Sequence, residues 1–131
     1  MARQQATTRS RRRLRRVGRT AKALEAVLAE GVLFPDPEEV RDYLRHYPAM
    51  VDLVPLVCRS VAERLGARAQ LSLEVYHDPE IEDEYLTLYV RQQHYDEDIM
   101  DVIKSARAPY DAAYGTTPGW MLVTTDFEDP R

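Results

Sequence analysis

An α+β fold is predicted by three observations. Apolar residues between Asp36 and Leu65 recur at helical spacing, and two later segments alternate apolar and polar at strict period two. A further helical stripe then precedes a last apolar stretch. The architecture expected is an N-terminal αα-hairpin, then a β-hairpin, a helix and a third strand. These form a small mixed sheet covered by helices on one face. At 131 residues there is room for one domain.

The chain opens on charge. Arg3, Arg9, Arg11, Arg12, Arg13, Arg15, Arg16, Arg19 and Lys22 are nine basic residues among the first 22, with no acid between them. Residues 23–131 hold the other nine basic residues against all 22 acidic ones. A net charge of −4 therefore conceals a +9 arm joined to a −13 body. Residues 1–22 are expected as a basic disordered arm, because a block of like charge with little apolar content has nothing to bury. Residues 23–34 form a short helix or linker, with Ala21, Leu24, Val27 and Leu28 at helical spacing and Gly31 as the stop. Residues 35–131 form the folded domain.

That domain begins at Pro35-Asp36-Pro37-Glu38-Glu39, where Asp36 is a good N-cap, Pro37 suits the first helical position and Glu39 completes a capping box. Val40, Tyr43, Leu44 and Tyr47 make one stripe, and Pro48 ends the helix. A second helix is expected from about Ala49 to Leu65, with Leu53, Leu56, Val57, Val61 and Leu65 inward and Gly66 closing it. Gln70–Tyr76 and Tyr85–Arg91 read as two strands of a hairpin, with residues 77–84 as a long acidic tip. A helix starting at Asp96 or Glu97 follows, its inner stripe formed by Ile99, Ile103 and Ala106. Trp120–Phe127 then reads as the third strand.

Within this frame the stretches LSLEVYHDPEIEDEYLTLYVR and HYDEDIMDVIKSAR resemble a family of small uncharacterised bacterial α+β proteins. The resemblance covers about residues 36–127 and leaves out the arm. It implies a compact module and transfers no activity and no functional residue.

Several chemistries find little support. Cys58 is the single cysteine, so no internal disulfide forms and a reducing compartment, the cytoplasm, is expected. Cys58 falls beside an apolar stripe, where a thiol acts as a small hydrophobe. There is no Gly-rich phosphate loop, no GxSxG and no HExxH, so neither an enzyme nor a cofactor is expected. His77, Asp78, Glu80 and Glu82 at the acidic tip are weak candidates for a hard cation. Without EF-hand spacing or a glycine, the same residues read as a solvated turn that discourages edge pairing. His77 and His94 flank opposite ends of one strand, roughly 30 Å apart at about 3.3 Å per residue, so one site does not hold both.

Two surfaces remain. Arg9, Arg11, Arg12, Arg13, Arg15, Arg16 and Arg19 suit bidentate phosphate contact and make the arm a candidate for nucleic acid, DNA or RNA. Tyr76, Tyr85, Tyr89 and Arg91 share the polar face of the hairpin, and tyrosine and arginine are enriched where proteins meet. Eight tyrosines against two phenylalanines and one tryptophan strengthen that reading. The function expected is a non-enzymatic binding or accessory protein, antitoxin-like or an assembly subunit. A protein partner would sit on the sheet and nucleic acid on the arm; self-association is compatible with this, and no membrane span is expected. A small metal-dependent hydrolase or nuclease using the acidic tip is the alternative, and a structural subunit of a larger complex is another.

Overall fold

The computed structural model describes residues 18–80, 83–114 and 118–131. A first helix, α1, covers 18–29. The helices α2 (Pro37–His46) and α3 (Met50–Leu65) come next, followed by a 3-10 turn at Gly66–Arg68. The strands β1 (Gln70–Asp78) and β2 (Asp83–Arg91) precede α4 (Ile99–Arg107), a 3-10 turn at Ala108–Tyr110, the single-turn α5 (Asp111–Tyr114) and β3 (Met121–Thr124). Helices and strands thus fall in the order anticipated.

The sheet is three-stranded in the order β1-β2-β3. β1 and β2 pair antiparallel from Gln70↔Arg91 to Asp78↔Asp83. β3 returns parallel to β2, from Leu86↔Met121 to Tyr89↔Thr124. Pleating sends Leu71, Leu73, Leu86, Leu88, Val90, Met121 and Val123 to one face, where they are buried with Val40, Leu44, Val54, Val57, Val61 and Ile103 of the helices. Each such side chain contributes roughly 1.5–3 kcal/mol by leaving water. The open edge of β1 is partly occupied: Leu33 N–H donates to Leu71 O at 2.8 Å and Leu73 N–H to Leu33 O at 2.9 Å.

Several boundaries differ from expectation for physical reasons. The hairpin ladder runs on through His77↔Glu84 and Asp78↔Asp83 into residues read as a polar turn, because backbone pairing persists where side chains face water. β3 stops at Thr124, and Phe127 takes a positive φ of 57° as the chain leaves the sheet. Thr20, Ala23, Leu24 and Val27 form the buried stripe of α1, at spacings of three, four and seven. A polar residue at the head of that stripe hid it, so Arg19, Thr20 and Lys22 belong to a helix and not to the arm, while Ala21 and Leu28 face out. On α3, Leu56 is 48% exposed, and Val54 and Cys58 take the inward places beside Val57 and Val61. Asp36 caps α2 as anticipated, its Oδ1 accepting from Glu39 N–H at 3.2 Å.

Gly119 sets the approach of β3 to the helices. Its φ is +89°, and a Cβ there would lie 2.9 Å from Tyr47 Cγ and 3.0 Å from Met50 Cγ. Left-handed strain of about 1–2 kcal/mol then adds to overpacking of about 1–3 kcal/mol. Gly119→Ala is expected to cost about 2–5 kcal/mol in urea unfolding. Gly31→Ala, at φ +82° with nothing within 4 Å, should cost only the strain. Equal losses would show that the close approach is unimportant.

Candidate interaction surface

The second face of the sheet bears the tyrosines. Tyr76 and Tyr85 pair across the hairpin with ring centroids 5.1 Å apart, and the Trp120 ring meets Tyr85 edge-on at 5.0 Å. These three rings form one row across β1, β2 and the head of β3. Tyr76 is 38% and Trp120 40% exposed, large values for aromatic side chains packed against one another. By strand alternation Asp78 and Asp83 lie beside the row toward the hairpin tip, and Glu74 lies on its other side. Desolvation, then Tyr76, Asp78 and Asp83, push the Tyr85 hydroxyl pKa up. Thr87 and Ser72, smaller members of the same face, are buried among larger neighbours, and Thr87 Oγ1 has no hydrogen-bond partner among the described residues.

Trp120 is held from the helix side. Tyr43, on the buried stripe of α2, accepts from Trp120 N–H at 2.8 Å and donates to Trp120 O at 3.2 Å. The same carbonyl accepts from Leu86 N–H at 3.0 Å, which continues the parallel ladder. Burial raises the Tyr43 pKa, so the phenol keeps the proton it donates. Trp120 was absent from the residues anticipated for this face. Its place at the head of an apolar run gave no phase for a strand whose partner was unknown.

Arg91 belongs to a different structure from the one anticipated. It is 3% exposed, and its guanidinium group donates to both Asp126 oxygens at 2.9–3.3 Å. Glu74 Oε2 is 3.8 Å away, and the Tyr89 ring lies 4.9 Å from the guanidinium carbon. Arg91 therefore anchors the C-terminal segment, which was read as strand, and is not free for a partner. The Arg91 hydrogen bonds hold Asp126 below its ordinary pKa. Gln70 and Arg131 exchange two 2.7 Å hydrogen bonds, and Tyr95 O–H donates to Glu128 O, so this segment closes the end of the face away from the row. Tyr89 is half-buried at that closed end.

The acidic tip is divided by the same pleat. His77 and Glu84 face the helices, where His77 Nδ1 lies 3.0 Å from Glu84 Oε1 and Nε2 lies 3.1 Å from Glu39 Oε1. Asp78 faces the open side and accepts from Glu80 N–H at 2.9 Å, and Glu82 lies outside the described residues. Period two sends neighbouring donors to opposite faces. Among the described residues no group of three or more His, Cys, Asp or Glu side chains is placed to hold a metal ion. His77 lines a cleft of about 260 Å³ with Glu39, Asp42, Tyr43 and His46. His94 borders another, of about 560 Å³, beside Gln70 and Gln92 at the opposite end of the sheet. Burial pushes the Cys58 thiol up to about 12, which leaves it protonated and unreactive at neutral pH.

Of the arm, Arg19 is in α1, its Nη2 2.6 Å from Asp52 Oδ2 of α3 in an exposed ion pair. Arg9, Arg11, Arg12, Arg13, Arg15 and Arg16 lie outside the described residues. No helix among the described residues is long and apolar enough to cross a membrane.

No protein-family model, curated protein or solved structure matches this chain. The comparisons bring no family, activity or partner to the site, and the aromatic row stands on its geometry.

Tyr43→Phe removes both ties to Trp120. It should cost about 1–2 kcal/mol and shift the emission of the single tryptophan; unchanged stability and emission would discount the tie. His77 gives a pH signature. Hydrogen bonding to Glu39, reinforced by the charges of Glu39 and Glu84, raises its pKa above the ordinary 6.5. The stabilisation is complete below that unfolded-state value and is lost as pH rises through the raised folded-state value. His77→Gln should therefore be less stable than the native protein at pH 5.5, with the gap closing as pH rises through the raised folded-state value. The gap stays below about 1 kcal/mol because solvent screens both pairs. A difference independent of pH would refute the charged bridge.

Proposed function

We propose that this is a non-enzymatic binding protein of the cytoplasm. Its body takes a protein partner on the row of Tyr76, Tyr85 and Trp120, and its arginine arm attaches the pair to nucleic acid. The observation that carries this reading is the row itself: three aromatic side chains in mutual contact, partly exposed, on the sheet face opposite the one that packs against the described helices. Tyrosine and tryptophan dominate binding energy at protein interfaces because a large rigid ring is desolvated at little entropic cost. The arm supports the second half. Residues 1–17 carry seven arginines and no acid, a composition that grips phosphates with little base preference. An antitoxin-like or assembly-subunit role fits by analogy with other small two-part binders.

Pull-down of cellular partners with the native chain and with Tyr76→Ser/Trp120→Ser tests the row. The double variant should lose at least about tenfold in recovery while its core, which excludes both side chains, keeps its unfolding midpoint. Equal recovery removes the row as the interface. Gel shifts test the arm: replacing Arg11, Arg12, Arg13, Arg15 and Arg16 by Gln should weaken DNA and RNA binding together. It should also flatten a log–log salt slope of about −5, the value for about six phosphates. Unchanged affinity would exclude the arm.

A further inference from the structure

Two carboxylates, Asp78 and Asp83, lie beside the row toward the tip, while Glu74 on the other side is already paired with Arg91 at 3.8 Å. Electron-rich ring faces beside carboxylates favour cations. Guanidinium suits them best, because it stacks flat and is weakly hydrated. Desolvation first, and then the charges of Asp78 and Asp83, raise the Tyr85 hydroxyl pKa, which agrees with the two carboxylates lying beside the row. Arg107 already shows this mode at the flank, its guanidinium carbon 5.5 Å from the Trp120 ring centroid.

The chain contains a complementary segment nearby. Arg19 is bonded to Asp52 in the first turn of α3; Met50, two residues earlier, abuts Gly119, and Trp120 follows. Those contacts lead from the start of α1 toward the row, and the 17 residues before α1 reach about 56 Å when extended. We infer that residues 1–17 dock in cis on the outer sheet face, their arginines against Tyr76, Tyr85 and Trp120 and the flanking Asp78 and Asp83. This rests on the proposed function in taking the row as a contact surface, and adds that its first occupant is the chain's own arm. Phosphates and rings then compete for the same guanidinium groups, so nucleic acid on the arm uncovers the row for a partner.

A nitroxide on full-length Ser10→Cys tests the docking, since Cys58 is fully buried and escapes labelling. The indole N–H resonance of Trp120, the one tryptophan, should lose most of its intensity, together with the amides of Tyr76 and Tyr85. About 0.5 M salt should restore the signals by screening. Asp78→Asn/Asp83→Asn in the labelled chain should restore them in part. In an equal mixture of labelled chain and isotope-enriched unlabelled chain the signals should stay intact. No loss, loss spread evenly over the body, or loss only in the mixture would each overturn docking in cis. A gel shift retained without any label effect defeats the docking alone, and a label effect without a gel shift defeats only the nucleic-acid role.

Discussion

One hydroxyl joins the two layers at the point where function is proposed. Tyr43 is buried in the helical layer, yet its oxygen both accepts from and donates to the backbone of Trp120, 77 residues away. A parallel strand entering from a loop has no turn to set its register. Here the phenol, the Leu86 hydrogen bond and the close fit of Gly119 against Tyr47 and Met50 set it together. The indole is thereby delivered to the opposite face, beside Tyr85. An aromatic row on the outside thus depends on a polar contact made on the inside.

The outer face consists of two regions with different physics. Around Arg91 it is closed: the guanidinium is enclosed by Asp126, Glu74 and Tyr89, and the C-terminal segment is tied down at Gln70 and Tyr95. A buried cation with a bidentate partner is a positional anchor, since a carboxylate left without it would remain desolvated. Around Tyr76, Tyr85 and Trp120 the face is open, with Asp78 and Asp83 on its tip side and the Arg107 guanidinium at the Trp120 end. Neighbouring rows on one small sheet are thus treated in opposite ways, one anchored and enclosed, the other left open.

At the hairpin tip, the pleat overrides composition. Six acidic or imidazole side chains clustered in sequence resemble a ligand set, but His77 turns to Glu39 and Glu84 under the helix while Asp78 and Asp83 turn outward. Glu39, read as half of a capping box, sends its carboxylate to His77. The electrostatics of the tip therefore fasten α2 to the hairpin, with charges split between two faces.

Periodicity alone determined the α+β class, the order of elements, the hairpin and the sharing of one face by Tyr76, Tyr85 and Tyr89, because spacing along a chain dictates which side chains share a side. The charge division between arm and body was equally plain, being a matter of counting. Three things were decided only in three dimensions. Trp120 joined the row through a parallel pairing whose phase no local pattern encodes. Arg91 left the surface because Asp126, 35 residues onward, folded back over it. Thr20 joined the core as the first member of the buried stripe of α1, a place its hydroxyl did not advertise. Local pattern records which face a residue shares, and only the packed chain records what lies opposite that face.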